Sequence, residues 1–272
     1  MHEQSILLPR NAFSPREAAR AGDLWRACQD VAVGASIAGG WPPLRYREAG
    51  TSFVVRSMTV LHHRETAYGD ALRGTTWVSR FRRDMLSTRE VRIADAQGPV
   101  VSARQEWVHV SAALAPTRAG VELTSAFPQE PGPPGDVPPE LPTLAHAADA
   151  HAPHVFSFAA WSTWMDPLAH ANHPAYVDWC DEATSRAMLR AGLDPVALVP
   201  VGEEVLFKSG VVAGEDVRVE SVAEGWTASG AAILSHRVLV GDRPCAIATT
   251  IRRVLGEDGP SSLARAIGAL DV

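Results

Sequence analysis

The chain has 272 residues, of which 46% are hydrophobic and 21% are charged, and its formal net charge is −6. This apolar content is too high for a disordered chain, and the sequence has no uncharged run of the roughly 18 to 20 apolar residues that a spanning helix needs. The N-terminal residues MHEQSILLPR lack the basic cluster and long apolar core of a secretory signal, which predicts a cytoplasmic protein without membrane attachment.

The three cysteines, Cys28, Cys180 and Cys245, are odd in number and far apart. This pattern argues against a disulfide framework or a structural zinc site and favours three small core residues. Because 31 acidic residues stand against 25 basic ones, the chain has no general attraction to nucleic acid. Local arginines such as Arg252 and Arg253 remain candidates for binding one phosphorylated ligand.

The first half opens with a predicted long helix. Apolar residues recur at helical spacing from Ala21 to Ala35, and Gly39 supplies a stop, which together predict a helix over residues 15–38. Period-two stretches around RSMTVL and TWVSRF then indicate strands. The segment VRIADAQGPVVSARQEWVHV indicates a hairpin that turns at its Gln-Gly pair, so the predicted order is a helix and then an antiparallel meander.

A proline-rich segment separates the two halves. PQEPGPPGDVPPELP holds seven of the 20 prolines, which excludes a regular helix or a central strand there. We therefore expect an N-terminal domain over residues 1–127, a linker over 128–150 and a C-terminal domain over 151–272. Halves of similar length make an internal repeat the next hypothesis.

The second half repeats the order of the first. Apolar residues from Tyr176 to Ala187 lie at helical spacing behind Pro174, and Gly192 is placed to end this helix. DVRVESV, GAAILSHRVLV and PCAIATTIRRV follow as alternating strands, with GDRP as the last turn. One long helix packed on an antiparallel sheet, occurring twice, predicts an α+β fold.

The densest polar cluster lies in WSTWMDPLAHANHPAYVDWCDEA, between a predicted strand and the start of the second helix. It contains Asp166, His170, Asn172 and His173. Backbone N–H groups at a helix start can stabilise an oxyanion, and a carboxylate beside them can attack a carbonyl or activate water. The same residue types are ordinary cap and turn residues, so a purely structural role stays open.

This cluster resembles the active-site segment of hot-dog-fold hydroxybenzoyl-CoA thioesterases and their acyl-CoA thioesterase relatives. The matching residues are Asp166, Pro167, Asn172, Pro174, Tyr176, Trp179, Glu182 and Ala183. The first half, with Gln29 and SFVVRSMTVLHHRETAYGDALRGTTWVSRF, is similar to the N-terminal hot dog of acyl-acyl carrier protein thioesterases, which join two hot dogs in one chain. The resemblance implies two hot-dog domains in tandem and a thioester hydrolase.

Carried over by position, the resemblance places the catalytic aspartate on Asp166, the motif histidine on His170 and the helix-start N–H near His173. It implies that Asp166 acts as nucleophile or general base while helix N–H groups polarise the carbonyl. Asn172 would hold the loop backbone beside them. His170 orients water or binds the thioester in one interpretation, and is a hydrogen-bonded turn residue in the other.

The sequence departs from the plant carrier-protein enzymes at two places. They have an asparagine where this chain has Leu168, and a glutamate on the following strand where this chain has Ser209 or Gly210. We therefore expect the simpler mechanism with a single aspartate. The first half has no matching Asp-Pro motif, so we expect one active site per chain.

Four residues are candidates for substrate binding. Tyr176 and Trp179 lie on the second predicted helix, and Val31 lies on the apolar face of the first helix, which we expect to line a tunnel for the acyl tail. Glu182 either lies buried beside Asp166, where it would raise the pKa of that carboxyl, or faces solvent.

We expect no metal and no cofactor, because a thioester is already activated and the HxxH pairs lack a third ligand. The expected partner is an acyl thioester of coenzyme A or of acyl carrier protein, in fatty acid metabolism, and a homo-oligomer is possible. Two alternatives stay open: a hot-dog hydratase or dehydratase with a histidine paired to an acid, and a non-catalytic acyl-binding protein.

Overall fold

The structure is a computed structural model that describes residues 1–256 together with Leu263 and Ala266. Contacts between Cα atoms divide the chain into two units. The first unit comprises Met1–Phe13 and Asp23–Glu140, and the second comprises Ser14–Gly22 and Leu141–Val272. Among the described residues, no helix combines the length and the apolar character that crossing a bilayer requires.

The first unit contains five strands in the antiparallel order β1-β3-β4-β5-β2. The strands are β1 (His2–Ile6), β2 (Thr51–His62), β3 (Leu72–Arg82), β4 (Leu86–Asp95) and β5 (Gly98–Ser111). The helices are α1 (Ala21–Ala38), α2 (Pro43–Glu48) and α3 (Val121–Ala126), with a 3-10 helix at Arg10–Ala12. The predicted β4–β5 hairpin is confirmed, since β4 ends and β5 begins around the Gln97-Gly98 pair.

Helix α1 is shorter than predicted. The helical pattern extended back to residue 15, but the helix begins at Ala21, because residues 14–18 fold into a tight turn in which Glu17 has a φ of +60°. The apolar face of α1 is buried as expected. Val31 packs so closely on β3 that a Cβ at Gly74 would overlap its methyl groups, so this approach requires glycine.

The second unit contains the antiparallel order β7-β9-β10-β11-β8, and a short strand also pairs with β9. Its elements are β6 (His146–Ala147), β7 (His154–Ala159), α4 (Ala175–Arg190), β8 (Leu198–Phe207), β9 (Asp216–Trp226), β10 (Ala232–Val240) and β11 (Arg243–Val254). Two 3-10 helices lie at Ser162–Trp164 and Pro195–Ala197. Helix α4 starts behind Pro174, and Gly192, with a φ of +76°, ends it as predicted.

The internal repeat is confirmed at the level of strand order and register. The order β1-β3-β4-β5-β2 matches β7-β9-β10-β11-β8, with irregularities at corresponding points. Asp70 and Glu215 even perform the same task, since each carboxylate accepts the N–H of the third residue before it, at 2.8 and 2.9 Å. Each half is a long helix on an antiparallel sheet, so the α+β prediction is confirmed.

Candidate active site

A tight loop presents the predicted catalytic aspartate just before α4. In this Asp166 loop (residues 166–170), the Asp166 N–H donates to the His170 carbonyl at 2.8 Å, and the Ala169 N–H donates to the Asp166 carbonyl at 2.9 Å. Ala169 has a φ of +62°, which closes the turn. Met165 and Ala171 form an isolated antiparallel bridge at its base. The structure therefore brings Asp166 and His170 to the two ends of one short hairpin.

The two carboxylate oxygens of Asp166 have different surroundings. Oδ1 accepts the Leu168 N–H at 2.8 Å, which is an Asx-type turn bond. No described residue donates a hydrogen bond to Oδ2, and the side chain is only partly buried. One oxygen thus fixes the carboxylate and the other is available to a reacting molecule.

The Asp166 loop is docked on the segment that joins β8 and β9. The Ala171 N–H donates to the Val211 carbonyl at 2.8 Å, and the Val211 N–H donates to Tyr176 Oη at 3.1 Å. Burial raises the pKa of Tyr176, so its phenol is neutral. Tyr176 therefore ties α4 to the segment that supports the loop.

His170 packs on glycine and lies near an acidic side chain. A Cβ at Gly210 would overlap the imidazole ring, so the ring lies directly on the backbone at this position. The pKa of the Glu215 carboxyl is lowered by the N–H of Val212, by Arg243, whose Nη2 lies 2.6 Å away, and by nearby His170. Sequence reasoning assigned no role to Glu215 and missed its pairing with Arg243.

The comparison with the plant enzymes placed Ser209 and Gly210 on a strand. In the structure, neither residue lies on a strand. Strand β8 ends at Phe207, and both residues belong to the segment after it. Ser209 Oγ donates to the Pro244 carbonyl at 2.9 Å and accepts from Arg243 Nη1 at 3.0 Å. These contacts engage the Ser209 hydroxyl as both donor and acceptor and join it to the start of β11.

The start of α4 already uses most of its N–H groups. The N–H groups of Ala175, Tyr176 and Val177 each donate to a carbonyl three residues earlier, at 2.9, 3.3 and 3.1 Å. Pro174 has no N–H. The helix start therefore offers fewer donors than its position alone suggests, and His173, which is buried near Phe207, remains the predicted oxyanion donor.

Asn172 lies between the loop and the helix. Its N–H donates to the Trp164 carbonyl at 2.9 Å, and its carbonyl accepts from Ala175. The side-chain Oδ1 is sealed from solvent and has no hydrogen-bond partner among the described residues. The backbone of Asn172 thus links the loop to the 3-10 helix before it and to the first residue of α4.

The substrate-binding candidates have three kinds of surroundings. Trp179 is buried among aromatic rings, 4.6 Å from Tyr176 and 5.4 Å from Trp164 between centroids. Glu182 is 46% exposed and pairs with Arg186, so the solvent-facing alternative is confirmed and it does not lie buried beside Asp166. Val31 is buried on α1 in the first unit.

Arg252 is not available to a phosphorylated ligand. It is 1% exposed and forms ion pairs with Asp181 of α4, at 2.8 Å, and with the fully buried Glu203 of β8. The two acids compensate the buried guanidinium. Cys28, Cys180 and Cys245 are buried free thiols, as predicted.

Comparison with known proteins gives strong structural matches. Neither the family models nor the curated protein sequences gave a match. A protein from Lactobacillus plantarum assigned as an oleoyl thioesterase shares 18% identity, with a TM-score of 0.79, over 94% of this chain and 96% of that chain.

The 12:0-ACP thioesterase from Umbellularia californica shares 14% identity, with a TM-score of 0.74, over 93% of this chain and 94% of that chain. An acyl-ACP thioesterase from Bacteroides thetaiotaomicron shares 11% identity, with a TM-score of 0.72, over 92% and 97%. The predicted tandem hot-dog fold is confirmed by these likenesses.

Proposed function

We propose that this protein is a thioesterase that hydrolyses an acyl thioester of coenzyme A or acyl carrier protein to the free acid and the thiol. The fold is shared, over nearly the whole chain, with solved structures that are named as thioesterases. We place its work in fatty acid metabolism in the cytoplasm. Fold alone does not define an activity, so the proposal depends on the Asp166 loop.

The observation that carries the proposal is a second copy of this loop. In the Ser14 loop (residues 14–18), the Ser14 N–H donates to the Ala18 carbonyl at 2.9 Å, and the Glu17 N–H donates to the Ser14 carbonyl at 2.8 Å. Glu17 has a φ of +60°. Both loops continue into the long helix of their half.

The Ser14 loop forms without any side-chain hydrogen bond from its first residue. Ser14 Oγ is sealed from solvent and has no hydrogen-bond partner among the described residues. The turn therefore does not require a carboxylate in this position. Asp166 therefore supplies a carboxylate that the turn does not need. Its available Oδ2 is suited to chemistry on a carbonyl.

The chemistry requires few groups. As general base, Asp166 Oδ2 takes a proton from water, the hydroxide adds to the thioester carbonyl, and the C–S bond breaks with return of the proton to the thiolate. As nucleophile, Oδ2 adds to the carbonyl itself, expels the thiolate, and leaves an anhydride that water hydrolyses. The His173 N–H donates to the oxyanion in both routes, and His170 orients the water or the thioester.

The aromatic pair Tyr176 and Trp179 of α4 is proposed to contact the acyl chain. As a separate hypothesis, Val31 on α1 is proposed to line an acyl tunnel. Glu182 is proposed to act at the exposed rim of α4, where it faces solvent. A ladder of acyl chain lengths measured on Val31→Ala tests the tunnel. A shifted chain-length optimum supports it, whereas an equal loss at every length with a lower melting temperature identifies Val31 as core.

Replacement of the aspartate tests the proposed activity. We expect Asp166→Asn to lower kcat at least about 1000-fold, because the amide retains the shape but can neither accept the proton nor attack. Thiol release from a panel of acyl-CoA and acyl carrier protein thioesters measures this. Ser14→Ala is the matched control and keeps wild-type turnover; retention of turnover in Asp166→Asn contradicts the assignment.

One observation favours a second candidate function. His170 lies near the Glu215 carboxylate, and a hot-dog hydratase or dehydratase uses a histidine with an acid. The Glu215 carboxylate is already engaged by Arg243 and the Val212 N–H, which makes thioester hydrolysis the better-supported activity. Enoyl absorbance, followed beside thiol release, separates the two activities, and a protein that only binds acyl groups shows neither signal.

A further inference from the structure

A buried arginine in the first unit has no acidic partner. Arg89, on β4, is 8% exposed, and among the described residues it makes no ion pair and no hydrogen bond through its side chain. Burial of an unpaired guanidinium is costly, and here desolvation lowers the pKa of Arg89 to about 10, at which the group is still charged at neutral pH. A charge left in this state requires an explanation.

The repeat shows that the fold does not need a charge at this position. Arg89 is opposite Gln105 of β5, and the same register position in the second unit is Leu234, opposite Thr250 of β11. Leu234 is a fully buried core residue. The same scaffold position is thus an ordinary leucine in one copy and an arginine in the other.

Arg252, in the second unit, is a buried arginine whose charge is compensated by acidic partners. Arg252 is paired with both Asp181 and Glu203, so its charge is neutralised within the unit. Arg89 has only the ring of Phe127, whose centroid lies 5.5 Å from its Cζ, and the nearby phenol of Tyr46. A cation–π contact offsets only part of the desolvation of a guanidinium.

The surroundings of Arg89 are apolar and aromatic. The buried cluster next to it contains Trp41, Val78, Ala119, Leu123 and Phe127, with Tyr46, Phe53 and Phe81 packed against it. Ser36 Oγ donates to the Trp41 carbonyl at 3.0 Å and lies 3.0 Å from Tyr46 Oη. The Tyr46 proton is therefore used on Ser36, and the side-chain N–H groups of Arg89 have no hydrogen-bond acceptor among the described residues.

We propose that Arg89 is the anchor of a second binding site, in the first unit, for a carboxylate attached to an apolar chain. One unpaired cation calls for a monoanion, and a planar guanidinium matches a carboxylate with two parallel hydrogen bonds. The aromatic and aliphatic cluster provides burial for the chain. No step of the proposed hydrolysis uses Arg89, so this site goes beyond the proposed function.

Calorimetric titration with octanoate and 1-octanol tests the site, because the two ligands share a chain and differ in charge. We expect wild-type protein to bind one octanoate, and to bind it at least about tenfold more tightly than 1-octanol. Arg89→Met removes the difference while keeping the apolar contact. Equal affinities for the two ligands in wild-type protein overturn the proposal.

The melting temperature of Arg89→Met shows whether Arg89 binds a ligand or only stabilises the fold. If Arg89 serves a ligand, Arg89→Met replaces an uncompensated buried charge by an apolar group, as Leu234 does in the second unit, and the ligand-free protein melts at a higher temperature. If Arg89 is structural, the variant melts at a lower temperature, and the site is refuted. Arg89→Lys keeps the charge without the planar fork and retains only part of the octanoate preference.

The titration needs no hydrolysis. It decides the site even if no thioester is hydrolysed, so failure of this site and failure of the proposed hydrolysis are distinguishable.

Discussion

The two halves of this chain share a scaffold and differ in where they place polar groups. Ser14 in the first loop corresponds to Asp166 in the second, and the backbone hydrogen bonds of the two turns agree within 0.1 Å. Inside the sheets, Arg89 corresponds to Leu234. Because the scaffold accepts either residue at each position, the uneven placement agrees with the two proposals, a reaction in the second half and a ligand site in the first.

The largest effect is expected at the buried ion pair of Arg252 and Glu203, whose register positions in the first unit hold apolar residues. Arg252→Met leaves Glu203, which is 0% exposed, without its cation, and should lower the free energy of unfolding by about 3 to 5 kcal/mol. The first unit has Trp107 and Met58 at the same register positions as Arg252 and Glu203. Urea unfolding measures the change.

The double variant Arg252→Met with Glu203→Met is the control, because it restores an apolar pair like that of the first unit. Asp181, at 30% exposure, can be hydrated without its partner. We expect most of the lost stability to return. A single variant within about 1 kcal/mol of wild type would show that the ion pairs contribute little.

A pH effect is expected from the buried His236, whose register position in the first unit holds Val91. His236 lies between Ser221 Oγ and Thr250 Oγ1, at 2.8 and 2.9 Å, and burial lowers its pKa to about 3. The unfolded chain binds this proton near pH 6.5 and the folded chain does not, so stability is complete above 6.5 and falls as the pH drops toward 3, by about 1.4 kcal/mol per unit.

The valine variant isolates this contribution. Val91 occupies the same register position in the first unit, so His236→Val fits the scaffold, and its unfolding free energy should depend less steeply on pH between 6 and 4. The slope of the unfolding free energy against pH is the quantity to compare. Its value at neutral pH also falls, because Ser221 and Thr250 lose their hydrogen-bond partner. An unchanged slope would show that His236 is not the group being titrated.

A smaller effect is expected at the contact between His170 and Gly210. Gly210→Ala displaces the imidazole, and kcat should fall about 10- to 100-fold with little change in melting temperature. At the corresponding positions of the repeat, Ala18 has the small side chain and Glu65 has the large one. Gly120→Ala is the matched control, since a Cβ there meets no atom within 4 Å. Unchanged turnover in Gly210→Ala would make His170 a turn residue only.

The sequence was informative where structure follows from local pattern. Strand alternation, the proline before α4 and Gly192 after it are local signals, and they predicted those elements. The start of α1 was wrong, because Ala18 and Ala19 continue the apolar period while the positive φ of Glu17 has no signature in a residue of that type.

The same limit applies to the site. Asp166 and His170 could be proposed from the sequence because they lie in one short motif. Glu215 was missed because its partner Arg243 is 28 residues away and meets it only through packing. In STREVRI, Arg89 shares the period-two face of Val91 and Ile93, and only the folded sheet shows that an arginine on this face is buried.

The most direct test of the account is to copy the first loop into the second by the change Asp166→Ser. Because the Ser14 loop forms with a serine that makes no side-chain hydrogen bond, we expect the variant to fold with a melting temperature close to wild type and to release no thiol above background. Wild-type thiol release, or a loss of activity that only follows a loss of folded protein, would contradict the claim that Asp166 is there for chemistry.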